Sequence, residues 1–176
     1  MSIVLVLGGA RSGKSRFAEG LARDQKHYIA TAQAFDGEMQ ERISLHQEQR
    51  GKAWTTHEEI FDLPERLAAL NSSANFILVD CLTLWLSNVM LAERDWQAAA
   101  HALLSALRIS TADVVLVSNE VGLGIVPDTP LGRAFRDAQG RLNQMVAEVA
   151  DSVVFMAAGL PLVLKGQLPK PPVPPA

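Results

Sequence analysis

Eight residues near the start of the chain, Gly8-Gly9-Ala10-Arg11-Ser12-Gly13-Lys14-Ser15, follow the pattern Gly, four residues, Gly-Lys-Ser. Glycines let a backbone wrap closely around an anion and aim its amide hydrogens inward. The flanks strengthen the pattern. Ile3-Val4-Leu5-Val6-Leu7 is a short apolar run rich in β-branched residues, the kind that forms a strand buried on both faces. Lys14 to Arg23 then reads as a helix with Phe17, Ala18, Leu21 and Ala22 on one side. A strand, a glycine loop and a helix in that order make a phosphate-binding loop, with the positive end of the helix toward the anion. Lys14 is expected to reach the terminal phosphates and Ser15 to ligate the magnesium of a nucleoside triphosphate.

The remaining pattern is one of short apolar strands alternating with helices. His27–Ala30, Phe76–Val79, Val114–Val117, Val153–Met156 and Pro161–Leu164 read as strands. Helices are expected over residues 37–50, 60–70 and 82–107, the last broken into two near Glu93 to Asp95, and after Pro130, where Leu131, Phe135, Ala138, Leu142, Met145 and Val149 recur at helical spacing. This order predicts an α/β fold, a P-loop NTPase-type, mostly parallel sheet flanked by helices in a single domain over residues 1–168. In such sheets ligands sit beyond the carboxyl ends of the strands, so loops starting at Gly8, Thr31, Asp80 and Ser118 should converge on one cleft. Pro169 to Ala176 holds five prolines and reads as an extended or disordered tail.

Composition sets outer bounds. A chain of 176 residues, 48% hydrophobic and 20% charged, is an ordinary globular mixture. A net charge of -3 gives no support for bulk electrostatic binding to nucleic acid or an acidic membrane. One cysteine, Cys81, cannot form an internal disulfide or a cysteine metal site, which suits a reducing, cytoplasmic compartment. The apolar start lacks a basic leader, and no apolar run reaches the length needed to span a bilayer.

Two further features invite chemistry, and each has a plainer reading. Asp80 ends a buried strand, a position suited to magnesium held directly or through water; an aspartate there can also cap the helix that follows, and the separate phosphate loop favours the magnesium reading without excluding the cap. Arg42, His46 and Arg50 are four apart and so share one helix face. Guanidiniums hold phosphate oxygens, and a neutral imidazole can attack phosphorus. With Glu38, Glu41 and Glu48 nearby, a solvated, ion-paired face explains the row as well, and spacing alone favours that plainer reading. His27, His57 and His101 have no comparable setting and read as structural or exposed. The helices of Trp85 and Trp96 face either the core or a neighbouring subunit, with core favoured.

Longer segments resolve the row. GGARSGKSRFAE (8–19), YIATAQ (28–33), RISLHQEQR (42–50), WTTHEE (54–59), LVDCLTLWLSN (78–88) and VSNEVGLGIVPDTPLGRAFRDAQGRLNQ (117–144) together resemble the bifunctional adenosylcobinamide kinase / adenosylcobinamide-phosphate guanylyltransferase family of cobalamin biosynthesis. The resemblance implies two reactions: phosphorylation of the aminopropanol hydroxyl of adenosylcobinamide by ATP or GTP, then transfer of GMP from GTP to that phosphate through a guanylylated histidine. His46 matches the histidine. Thr31, Ala32 and Gln33 match a nucleotide-contacting loop, Gln47, Glu48, Gln49 and Arg50 match contacts just after the histidine, and Glu58 and Asp80 match acidic positions near the guanine nucleotide. Some relatives have glutamate where Asp80 stands, and some carry adjacent histidines where this chain has Leu45-His46. The resemblance also implies a homotrimer and a corrinoid substrate. The segment Asn119 to Pro127 stays open between a plain connection and a corrinoid or subunit contact. A plain P-loop small-molecule kinase and a nucleotide-gated binding protein are the rival readings.

Overall fold

The computed structural model describes residues 1–23, 25–32, 53–169 and 171. The helix expected over 37–50, with Gln33, Arg42, His46, Gln47, Glu48, Gln49 and Arg50, and most of the proline-rich tail lie outside the described residues. The elements run β1 (Ile3–Gly8), α1 (Lys14–Gly20), β2 (Gln25–Ala30), β3 (Trp54–Glu58), α2 (Leu63–Ala69), β4 (Asn75–Asp80), α3 (Leu82–Leu91), α4 (Trp96–Arg108), β5 (Asp113–Asn119), α5 (Pro130–Val149), β6 (Ser152–Ala157) and β7 (Leu160–Lys165). The strands form one sheet in the order β3-β2-β4-β5-β1-β6-β7, parallel except for β7, which returns antiparallel to β6.

The two-residue period of a strand sorts the apolar side chains into two layers. Ile3, Leu5, Leu7, Ile77, Val79, Val114 and Leu116 face α2, α3, α4 and α5. Val4, Val6, Phe76, Leu78, Val115 and Val117 face the opposite way, against Ala18 of α1 and Leu21 and Ala22 just after it. Every residue of β1 is buried, as a strand covered on both faces requires. Trp85 is 0% exposed, which settles it as core, and its indole nitrogen donates to the Phe61 carbonyl at 2.9 Å.

Helix starts follow local chemistry. The break before α4 arises where the Asp95 carboxylate accepts from the amides of Gln97 and Ala98, both at 3.0 Å. Thr129 does the same for Gly132 ahead of α5, with Pro130 in the first turn. The β6–β7 turn is Ala158-Gly159, both at positive φ, the conformation that matches strand twist in a two-residue hairpin. β3 was not expected. Its sequence, Trp54-Thr55-Thr56-His57-Glu58, is too polar to read as a buried strand, and among the described residues it pairs with β2 alone, at the sheet edge, where no such burial is needed. Helix α1 also stops at Gly20, short of the expected Arg23.

Helix α5 is packed along its second half. Ala138, Gln139, Leu142, Asn143 and Val146 are buried, while none of residues 130–137 is. Leu142 is 0% exposed and locks the helix to the sheet. Leu142→Ala is expected to lower the unfolding free energy by about 3 kcal/mol in urea denaturation. Arg141→Ala, one position away on the exposed side, should change it by less than about 0.5 kcal/mol.

Candidate active site

The loop from Gly8 to Ser15 is shaped by close backbone contacts. A Cβ on Gly8, where φ is 153°, would lie 2.5 Å from the Met156 carbonyl oxygen and 2.7 Å from Ser12 Oγ, so only glycine fits. Gly13 turns the chain into α1 at φ 96°, and a Cβ there would meet Gly159 Cα at 3.3 Å. The Gly159 amide donates to the Ser12 carbonyl at 3.0 Å, so the β6–β7 turn braces the loop from outside. Arg11, Ser12, Gly13, Lys14, Ser15 and Arg16 line a cavity of about 340 Å³. Three cationic side chains and no carboxylate make that lining suited to an anion. Ser12 Oγ is buried without a hydrogen-bond partner among the described residues, which leaves a hydroxyl for a ligand oxygen.

Lys14 is 8% exposed, and its ammonium donates to the Gly9 carbonyl at 2.6 Å. Burial holds its pKa below the usual lysine range, against the opposing pull of Cys81 and Asp80. The Asp80 carboxylate is not a helix cap. Cys81 occupies the cap position of α3, and no side chain caps it. Asp80 Oδ2 instead accepts from Ser15 Oγ at 3.2 Å and from the Tyr28 hydroxyl at 2.6 Å. A hydroxyl and a carboxylate side by side next to an anion cavity are oxygen donors of the type magnesium takes when phosphates and water complete its shell. No group of three or more histidine, cysteine or acidic residues that could hold a metal by itself occurs among the described residues.

Thr31 is fully buried, and its hydroxyl both donates to the Cys81 carbonyl at 2.7 Å and accepts from the Cys81 amide at 2.8 Å. Asn88 donates to the Thr31 carbonyl at 2.8 Å. The Thr31 side chain therefore joins the ends of β2 and β4, and Ala32 follows it at the same edge. The Cys81 thiol is pushed up to about 12, mainly by burial and then by the Asp80 charge, so it stays protonated. Glu58 is exposed at the end of β3, in register with Ala30. Four strand spacings separate β3 from β1, about 19 Å. The carboxyl edge thus forms a shelf with the anion cavity near its middle and Glu58 at one end.

On the other side of Asp80, the end of β5 is held by a buried amide network. Gln139 Nε2 donates to Ser118 Oγ and to Asn143 Oδ1, both at 2.9 Å, and Asn143 donates to the Asn119 carbonyl at 3.1 Å. Beyond it, the Glu120 amide donates to the Gly8 carbonyl at 3.1 Å. The loops expected to converge do so. Sequence reasoning missed Tyr28, taken only as a strand residue, and the amide pair Gln139 and Asn143, two polar residues four apart on a helix face otherwise read as apolar. It also missed that His27 and His57 meet, with Nδ1 and Nε2 3.1 Å apart. Burial, then His27 and Arg66, hold the His57 imidazole below the usual histidine range.

Comparisons with known proteins bear on this site. A bifunctional adenosylcobalamin biosynthesis protein of Pseudomonas aeruginosa is 46% identical over 168 residues, covering 93% of this chain and 97% of the relative. A protein of the same description from Escherichia coli K12 is 39% identical over 180 residues, covering 93% of this chain and 99% of the relative. Among solved structures, a prototypical ATPase from the type III secretion system of pathogenic bacteria superposes with a TM-score of 0.53 at 13% identity, over 92% of this chain and 56% of that longer one, a likeness of fold alone. Residues 4–164 match the family described as cobinamide kinase / cobinamide phosphate guanyltransferase. The chain belongs to the cobinamide kinase / cobinamide phosphate guanyltransferase family.

Proposed function

We propose that the chain phosphorylates the aminopropanol hydroxyl of adenosylcobinamide with a nucleoside triphosphate, and then transfers GMP from GTP to that phosphate through His46, giving adenosylcobinamide-GDP and pyrophosphate. The observation that carries this reading is the cationic phosphate loop with Ser15 joined to Asp80, in a chain whose relatives are named as bifunctional adenosylcobalamin biosynthesis proteins.

The geometry of the loop and of the end of β4 supports the following roles there. Amides of Gly8 to Ser15, including those of Gly9, Ala10, Arg11, Ser12 and Gly13, wrap the β- and γ-phosphates. Lys14 leaves the Gly9 carbonyl, an acceptor that a phosphate oxygen replaces with a stronger, charge-assisted bond. Ser15 and Asp80 would hold magnesium, which supplies positive charge to the phosphates when bound. Glu58, at the far end of the shelf from β1, suits contact with the nucleoside alongside Ala32, while Thr31, buried with its hydroxyl, amide and carbonyl all bonded within the protein, holds that edge in place instead of touching the nucleotide. Gln33, Gln47, Glu48, Gln49 and Arg50 are assigned nucleotide contacts on family pattern.

In the guanylyl step an imidazole nitrogen of His46 attacks the α-phosphorus of GTP. A nitrogen–phosphorus bond forms, the bond from that phosphorus to the bridging oxygen breaks, and pyrophosphate leaves with the electron pair. The phosphate oxygen of adenosylcobinamide phosphate then attacks the same phosphorus, and the imidazole departs. Splitting the transfer in this way lets one loop hold triphosphate in both reactions.

The same reading includes a homotrimer in a reducing cytoplasm. Leu123, Ile125 and Val126 on the loop before α5 are exposed, with Ile125 at 97%, as residues awaiting a subunit contact would be. No helix among the described residues is long and apolar enough to cross a membrane.

Three outcomes are expected. Lys14→Ala should lower kcat/KM about 100-fold in both half-reactions, by loss of a donor aimed at developing phosphate charge. Kinase turnover at the wild-type rate would refute the loop's role. His46→Ala should abolish guanylyl transfer while phosphoryl transfer continues, measured with separately supplied adenosylcobinamide and its phosphate. Guanylyl transfer persisting in the variant removes the histidine from the mechanism. Light scattering should give the mass of three chains, and a monomer at micromolar concentration contradicts the trimer.

A further inference from the structure

Tyr28 is the sole tyrosine of the chain, and it is 3% exposed on β2, next to the edge strand, in the same apolar layer as Ala18 of α1. A phenol in such a place buries a polar hydroxyl, which must find a partner. Its ring is held edge-on against Trp54 at 5.9 Å, and Trp54 in turn lies against Phe76 at 6.1 Å. The hydroxyl goes to Asp80 Oδ2 at 2.6 Å, a separation in the short range of bonds from hydroxyl to carboxylate. The register explains how it gets there. Tyr28 stands beside Leu78 and Ala30 beside Asp80, so the phenol reaches diagonally across the sheet, past an alanine small enough to let it by.

Asp80 needs such a restraint. Its carboxylate sits on the last residue of β4, and the hydrogen bonds described to it come from Ser15 and Tyr28. Without those bonds the side chain would sample several rotamers, and ordering it would fall to the binding step. Tyr28 reaches Oδ2 from β2, on the side of β4 away from β1, while Ser15 reaches the same oxygen from α1. We propose that Tyr28 is a positioning residue that fixes the Asp80 carboxylate beside Ser15, so that magnesium with its triphosphate meets a preset oxygen. The proposal rests on the assignment of Ser15 and Asp80 to magnesium made above.

The test compares Tyr28→Phe, Asp80→Asn and the wild-type chain in two measurements. The first is the magnesium concentration for half-maximal phosphoryl transfer. Tyr28→Phe keeps the ring packing and removes the hydroxyl, and should raise that concentration about tenfold, the worth of one hydrogen bond to a charged group. The effect on kcat at saturating magnesium should be several-fold smaller. A half-saturation within twofold of wild type overturns the proposal. The second measurement keeps the native fold. Uniform 3-fluorotyrosine labelling puts a single fluorine at position 28. Its NMR resonance should move when magnesium is added to the GTP-loaded protein, and this response should be lost in labelled Asp80→Asn. A resonance indifferent to magnesium in the wild-type chain overturns the proposal even if Tyr28→Phe does not fold. If Asp80→Asn leaves the magnesium dependence unchanged, the metal assignment itself has failed. If Asp80→Asn changes it and Tyr28→Phe does not, only the role of Tyr28 has.

Discussion

One carboxylate oxygen, Asp80 Oδ2, joins three parts of the molecule. It ends β4, accepts from the first turn of α1 through Ser15, and accepts from β2 through Tyr28. Apolar contacts of Phe17, Ala18, Leu21 and Ala22 also hold α1 to the sheet, and these carry no hydrogen-bond direction. The hydrogen bonds supply direction. They set the phosphate loop against the carboxyl edge, while the β6–β7 turn holds the loop's other flank through the Gly159 amide and the bare Cα of Gly8 and Gly13. A loop held on both flanks needs little rearrangement to receive an anion, and preorganisation of that kind makes backbone amides effective against developing charge.

This arrangement also explains how one cleft can serve two reactions. In the proposed scheme both reactions begin with a triphosphate in the same loop, and they differ in which phosphorus is attacked and by what. The loop cannot decide between them, so the choice falls to the groups that approach it. In the proposed scheme those are the corrinoid hydroxyl for the terminal phosphorus and His46 for the α-phosphorus. The buried network of Gln139, Asn143 and Ser118 fits the same logic, because it steadies the end of β5, whose next amide bonds Gly8 at the root of the loop.

Much of the fold was legible because β1, β4 and β5 are covered on both faces, and double burial writes itself as an unbroken apolar run. Strand β3 was hidden for the converse reason, since an edge strand with exposed threonines carries no such run. The phosphate loop was legible because its glycines are required locally. The duty of Asp80 was narrowed to two options, and only the structure showed the carboxylate turned away from the helix cap. Tyr28 could not have been found in sequence. Its role arises from a diagonal between strands far apart in the chain, and the residue beside it that permits the reach, Ala30, carries no signal of its own.

The proposed guanylyl transfer depends on His46 carrying GMP, and peptide mapping after incubation with GTP and magnesium tests that most directly. Cleavage after Arg42 and Arg50 releases Ile43 to Arg50, in which His46 is the one histidine. Mass spectrometry under neutral conditions, which spare a phosphoramidate, should find GMP on that peptide and lose it when adenosylcobinamide phosphate is added. An unmodified peptide in a preparation that turns over GTP to product, or GMP attached to His27, His57 or His101 instead, would contradict it.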